Sequence, residues 1–201
     1  LLAQPTDKGG PAAQALAHDL VREFHPPLVV LCGVCGGFAE RTSEGAVLVA
    51  RDVLAYEPAR LSDGRMDLRP AHHKCSASVI GLVQHLKRTR KLDAALGGHA
   101  LHCKDFASGE KVIADADAPL RKALYALSAD LYGFEMEGAG LLHALWEEAR
   151  TEPVQVSIIK TVSDLGDAAM RADKDRRQQQ AARRAAEVTL AVLAHFEFPA
   201  R

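Results

Sequence analysis

The sequence lacks any marked excess of one charge: 25 Lys and Arg against 26 Asp and Glu give a formal net charge of −1. With no overall basic field, nucleic acid and anionic membrane surfaces are not expected partners. Long hydrophobic runs are missing too. The strongest, residues 27–32 and 46–50, fall far short of the ~20 apolar residues that a membrane helix needs. No basic stretch leads into an apolar core and a small-residue cleavage site at the N-terminus, so export has no support. Cysteine is scarce, with only Cys32, Cys35, Cys75 and Cys103 in 201 residues. That is too sparse for a disulfide framework and points to a reducing cytoplasm. Neither a fixed-period repeat nor a low-complexity tract appears, which excludes an array.

What remains is globular. Hydrophobic residues make up 48% and charged residues 25% of the chain, and its length suits one domain that buries roughly 70% of its unfolded surface. Short apolar stretches alternate with longer amphipathic ones, the pattern of an α/β domain with a largely parallel sheet. Gly10 and Pro11 open a helix to about Phe24, with Ala13, Leu16, Leu20 and Val21 at helical spacing. Residues 28–32 read as a fully buried strand entering a glycine turn over 33–37. A strand is expected over 46–54, a long loop over 56–71 from Pro58, Gly64 and Pro70, and a helix over 76–90. Then come a strand over 100–106, a turn at Ser108-Gly109-Glu110, a short strand or turn at 111–113, and a helix over 119–131. Residues 132–136 make a short buried strand, 137–150 a helix, 154–162 the clearest strand of the C-terminal half, and 181–196 a closing helix.

In parallel α/β sheets, ligands gather at the carboxyl ends of strands. Four loops qualify: the glycine turn with Val34, Cys35 and Gly36, the Ser108-Gly109-Glu110 turn, the Glu135-Met136-Glu137-Gly138 segment, and Ser163-Asp164. Polar residues at such positions are disproportionately functional.

Together these segments resemble the nucleoside phosphorylase/nucleosidase family, in particular its 5′-methylthioadenosine/S-adenosylhomocysteine nucleosidase-like branch. Residues 33–38 match a G-x-x-G-G turn, 107–113 an A-S-G-[DE]-x-x-I segment, 134–140 a [VF]-E-M-E-G-A element and 162–167 an S-D-x-x-D turn, in order and over nearly the whole chain. The resemblance implies a three-layer α/β/α sandwich around a mixed central sheet. It also implies a homodimer, a small nucleoside substrate, and no metal or organic cofactor. The family's first strand and loop, which carry a water-positioning Glu, are then expected upstream of residue 1. Residues 1–4 would be a later strand, and Lys8-Gly9-Gly10 a second glycine loop whose N–H groups meet an anion or sugar.

Cleaving the N-glycosidic bond of a purine nucleoside leaves positive charge on the ribose and negative charge on the departing base. By resemblance Asp164 protonates the base, held partly protonated by its apolar flank of Ile158, Ile159, Val162 and Leu165. A helix cap is the other reading of Asp164 from the residue alone. Glu137 is the implied acceptor for ribose hydroxyls beside a developing oxocarbenium ion, and Met136 the apolar contact beneath the sugar. Favourable charge at a helix N-terminus is the other reading of Glu137. Glu135, two residues away and on the opposite side of an extended segment, is the weaker candidate. Val112 and Ile113 are the implied base-pocket residues, with Val112 where methylthioadenosine enzymes stack a Phe. Val34, Cys35, Gly36 and Ser163 complete the implied substrate-binding set.

Phosphorolysis needs a dianion site, and bacterial phosphorylases of the family carry an Arg two residues before the first glycine of the strand-end turn and a Ser just after it. Leu31 and Val34 stand there. The expected reaction is therefore hydrolysis of a purine nucleoside or related N-ribosyl compound. Phosphorolysis and a non-catalytic nucleoside- or nucleotide-sensing module of a larger protein are the alternatives. Cys32 and Cys35, with His72, His73, Cys75, His102 and Cys103, read as core and loop residues rather than a zinc site, since no second C-x-x-C exists. The basic cluster of Arg171, Lys174, Arg176, Arg177, Arg183 and Arg184, interspersed with Asp173 and Asp175, reads as a solvated helix face.

Overall fold

The computed structural model of the chain describes residues 1–62, 65–148, 154–167 and 173–198. In chain order the elements are α1 (Gly10–Phe24), β1 (Leu28–Gly37), β2 (Val47–Ala55), β3 (Ala59–Ser62), β4 (Arg65–Leu68), β5 (Ala71–Lys74), α2 (Ala77–Arg88), α3 (Asp93–Leu96), β6 (Leu101–Ser108), α4 (Pro119–Leu127), β7 (Leu131–Glu135), α5 (Gly138–Glu148), β8 (Gln155–Asp164) and α6 (Lys174–Leu193). Alternating side chains on β2 and β8 serve two cores. Leu48 and Ile158 pack with Val21, Leu141 and Leu145 beneath α1 and α5. Val47, Val49 and Ile159 face the other way and pack with Val83, Leu86, Val188 and Val192 of α2 and α6. Helices therefore cover both faces of the sheet, and the fold is a three-layer α/β/α sandwich.

The sheet runs β5-β2-β6-β7-β1-β8, and β8 pairs again with β2, so five strands close into a ring with β5 outside it. Pairing is mixed: β1–β8, β2–β6 and β6–β7 are parallel, while β1–β7, β2–β5 and β2–β8 are antiparallel. The seam between β1 and β7 spans only Gly36↔Phe134 and Gly37↔Gly133. Among the described residues no helix is long and apolar enough to cross a membrane.

Several local expectations are corrected. The glycine segment is not a turn but the last part of β1. A Cβ on Gly36 would lie 2.1 Å from the Phe134 ring and one on Gly37 2.6 Å from Thr42, so these glycines permit close approach within a strand. The first part of β1 is only half-buried and Cys32 is exposed, because β7 joins β1 only at its end. Residues 1–4 form no strand, and Leu1 and Leu2 are exposed. The 56–71 loop contains the β3–β4 hairpin, and no strand forms at 111–113. α4 stops at Leu127, where Ser128 turns extended and its hydroxyl accepts from the Asp130 N–H at 3.1 Å. α6 begins at Lys174, earlier than expected.

The contact between α1 and α5 is set by glycine. A Cβ on Gly140 would stand 2.0 Å from the Gly10 carbonyl oxygen, against backbone that cannot rotate aside. Alanine ordinarily gains about 1 kcal/mol over glycine inside a helix. Here the clash dominates, and Gly140→Ala is expected to destabilise the protein by about 1–3 kcal/mol, read as a lower urea midpoint at unchanged slope.

Candidate active site

The carboxyl ends of β1, β7 and β8 meet over a cavity of about 290 Å³. Gly36 of β1 is in register with Asp164 of β8, and Glu135 of β7 with Ser108 of β6. Beyond Glu135 the chain turns through Met136 and Glu137 into α5. Val34, Cys35 and Gly36 line one wall, and Val112, Ile113 and Phe134 another. Glu135, Met136, Glu137, Ser163 and Asp164 border the same space. All ten candidate residues are thus neighbours, although Val112 is 66% exposed and stands on the rim while Ile113 is buried. A larger cavity of about 550 Å³ opens near Val154, Val156, His143 and Trp146, at the other end of β8, but among the described residues no carboxylate lines it.

A buried lysine organises the acidic residues. Lys160 of β8 is 2% exposed, and its Nζ lies 2.8 Å from Glu135 Oε2 and 2.7 Å from Glu137 Oε2. Burial alone would favour the neutral amine, but the two carboxylates outweigh it and hold the ammonium charged, with its pKa above the ordinary lysine value. Burial likewise pushes the Glu135 carboxyl upward. The charge and hydrogen bond of Lys160, then the Ser108 hydroxyl and the Glu137 N–H, overcome that and bring it below the usual carboxylate range. Glu135 also accepts from the Gly138 N–H at 2.8 Å, so it is spent on holding the turn.

Glu137 faces the cavity more openly and is gripped at both oxygens. Lys160 donates to Oε2, and the Gly9 N–H donates to Oε1 at 3.3 Å. The adjacent Gly10 N–H donates to Glu110 Oε1 at 2.8 Å. Gly9 sits at φ 96°, and a Cβ there would lie 2.3 Å from Glu110 Oε2, so the glycine pair lets the N-terminus of α1 meet two carboxylates. Asp164 is 8% exposed. Its Oδ2 accepts from the Ser163 hydroxyl at 2.9 Å and its Oδ1 from the Gly166 N–H at 3.1 Å. It lies within β8, and the cap position of α6 belongs to Asp173, so Asp164 is not the cap of that helix. The Ser163 hydroxyl is also 3.3 Å from the Cys35 carbonyl, and burial raises the Cys35 thiol well above its ordinary value.

Sequence reasoning placed Lys8 in the second glycine loop but missed Lys160, Phe134, Lys111, Lys174 and Gln178 as members of this surround. Only Lys160 left a signal, as the one charge in an apolar strand, which demands a partner. Among the described residues no three His, Cys, Asp or Glu side chains converge to hold an ion. In the basic cluster, Arg176, Arg177 and Arg183 pair with Asp173, Glu44 and Glu187; Arg171 lies outside the described residues.

The closed mixed sheet with this cavity at its strand ends is a fold shared with nucleosidases of known structure. A 5′-methylthioadenosine/S-adenosylhomocysteine nucleosidase from Neisseria meningitidis superposes with a TM-score of 0.76 at 19% identity, over 95% of this chain and 79% of that one. An S-adenosylhomocysteine nucleosidase from Streptococcus pyogenes gives 0.78 at 17%, over 96% and 78%. The futalosine hydrolase of Helicobacter pylori gives 0.76 at 17%, over 95% and 78%. Among curated protein sequences none matches. The chain belongs to the Phosphorylase superfamily, whose sequence model matches residues 3–194.

Proposed function

We propose that this protein hydrolyses the N-glycosidic bond of a purine nucleoside or a related N-ribosyl compound. The observation that carries this reading is the meeting of Asp164 with the Met136–Glu137 pair around one cavity. In this scheme Asp164 donates a proton to the departing base, with its carboxyl oriented by Ser163 and Gly166. Glu137 accepts from the sugar hydroxyls and stabilises positive charge as it develops on the ribose. Lys160 acts as a positioning residue through Glu137 and does not itself meet the base. Met136 supports the sugar, Val34, Cys35 and Gly36 form the wall, and Ile113 with Phe134 flanks the base. Val112 on the rim offers only an aliphatic edge, which suits a loosely stacked base.

Water is the nucleophile in this scheme, because Leu31 and Val34 carry no anion-binding group. Product analysis on a purine nucleoside panel tests it: free base and free ribose are expected at equal rates with and without phosphate. Release of ribose 1-phosphate only when phosphate is present would establish phosphorolysis instead, and binding without turnover would leave a sensing module. The same reading includes purine nucleoside catabolism, a cytoplasmic setting suited to four free cysteines, and a homodimer. Leu61 and Met66, exposed on the β3–β4 hairpin, are the apolar surface offered to a second copy.

A further inference from the structure

Ion pairs account for only part of the basic cluster of α6. Arg184 meets no carboxylate among the described residues, and its Nη1 donates only to the Gly45 carbonyl, at a long 3.4 Å. It follows Arg177 by two helical turns on the same face, and both border a further cavity of about 270 Å³ with Glu44, Gly45 and His99. Gly45, at φ 81°, keeps this space open. A Cβ there would lie 2.4 Å from His99 Nδ1 and 3.1 Å from Arg184 Nη1, so the imidazole and the guanidinium converge on one point from separate elements. Both side chains belong to half-buried residues, and the His99 ring has no hydrogen-bond partner among the described residues. The carboxylate at this cavity, Glu44, is held by Arg177 Nη1 at 2.7 Å. That pair balances itself and leaves the Arg184 charge without a counterion among the described residues. A guanidinium fork and an imidazole N–H facing one small cavity, with positive charge left over, form a donor set for a tetrahedral oxyanion. Glu135, Glu137 and Asp164 do not line this cavity, and among the described residues it shares only Ser163 with the catalytic one.

We infer that the cavity between α6 and the β1–β2 loop is a second ligand site, which binds a phosphate-type oxyanion, free or as the phosphoryl group of an ester, through Arg184 and His99. The bound ion is a ligand and not the nucleophile. Titration calorimetry on the full chain tests this without any turnover, so the result stands apart from the hydrolase reading. Inorganic phosphate and glycerol 3-phosphate represent the two sources, and chloride at matched ionic strength is the control. At least one phosphate source is expected to bind with a Kd of about 1 mM or tighter, and the comparison identifies the source. Arg184→Gln should weaken that binding by about 10-fold or more, the loss of a charge-assisted contact. Glu44→Gln should act the other way. It removes the competing carboxylate and frees Arg177, tightening binding by roughly 2- to 5-fold. Damage to the fold cannot produce opposite shifts at one helix–loop contact, and the Glu44 variant decides alone should Arg184→Gln fail to fold. Asp164→Asn is expected to leave the affinity unchanged. Binding no better than chloride, an affinity indifferent to Arg184→Gln, weaker binding in Glu44→Gln, or loss of binding in Asp164→Asn would each overturn the inference.

Discussion

Asp164→Asn lowers kcat for the hydrolysed nucleoside by about 10²- to 10⁴-fold with little change in KM, the range expected when a general acid is removed. The amide keeps the size of the carboxyl and can still accept from the Gly166 N–H, so β8 and the cavity wall should fold as before. What it cannot do is deliver a proton to a leaving base. Steady-state kinetics with circular dichroism as a folding control make the measurement. Full activity in this variant would remove Asp164 from the mechanism. A raised KM at constant kcat would reduce it to a binding residue.

Lys160→Met is expected to cost about 3–5 kcal/mol of stability, because it leaves Glu135 and Glu137 near each other without their shared cation. Exposed pairs such as Arg183–Glu187 contribute about 0–1 kcal/mol, so their loss would pass almost unnoticed. The pH dependence separates this electrostatic account from simple loss of packing. In the native protein Glu135 titrates below its unfolded value, so its contribution is present above that value and is lost as pH falls through the folded one. Lys160 titrates above its unfolded value, so its contribution is present at neutral pH and is lost only as pH rises through the folded value. Without Lys160, burial is opposed only by the Ser108 hydroxyl and the Glu137 and Gly138 N–H groups, and the Glu135 carboxyl is expected to move up far enough for protonation to favour the fold. Urea unfolding should therefore show the variant gaining stability from pH 7 to pH 5 while the native protein gains none. Parallel curves for the two proteins would contradict the assignment.

Much of this architecture was readable before any coordinates. α1 begins at the Gly10-Pro11 start signal, and β2 and β6 follow their β-branched and apolar runs, because local pattern and tertiary packing agree there. The glycines of residues 33–37 misled because glycine marks both turns and tight crossings. Only the position of the Phe134 ring distinguishes the two, and that is a long-range fact. An all-apolar run likewise suggested a fully buried strand, whereas the first part of β1 pairs with β8 alone and is only half-buried. The site was legible as strings at strand ends. The tie from Lys160 to both glutamates was not, since it depends on two strands brought together by closure of the sheet.

A ring of strands has no terminus from which to fray, so most of its amides should exchange with solvent only when the whole domain opens. Its thinnest join is the two-residue contact of β1 with β7, held at Gly36 and Phe134. That join borders the cavity itself, so the first place for the barrel to breathe is the place where a ligand would enter and leave.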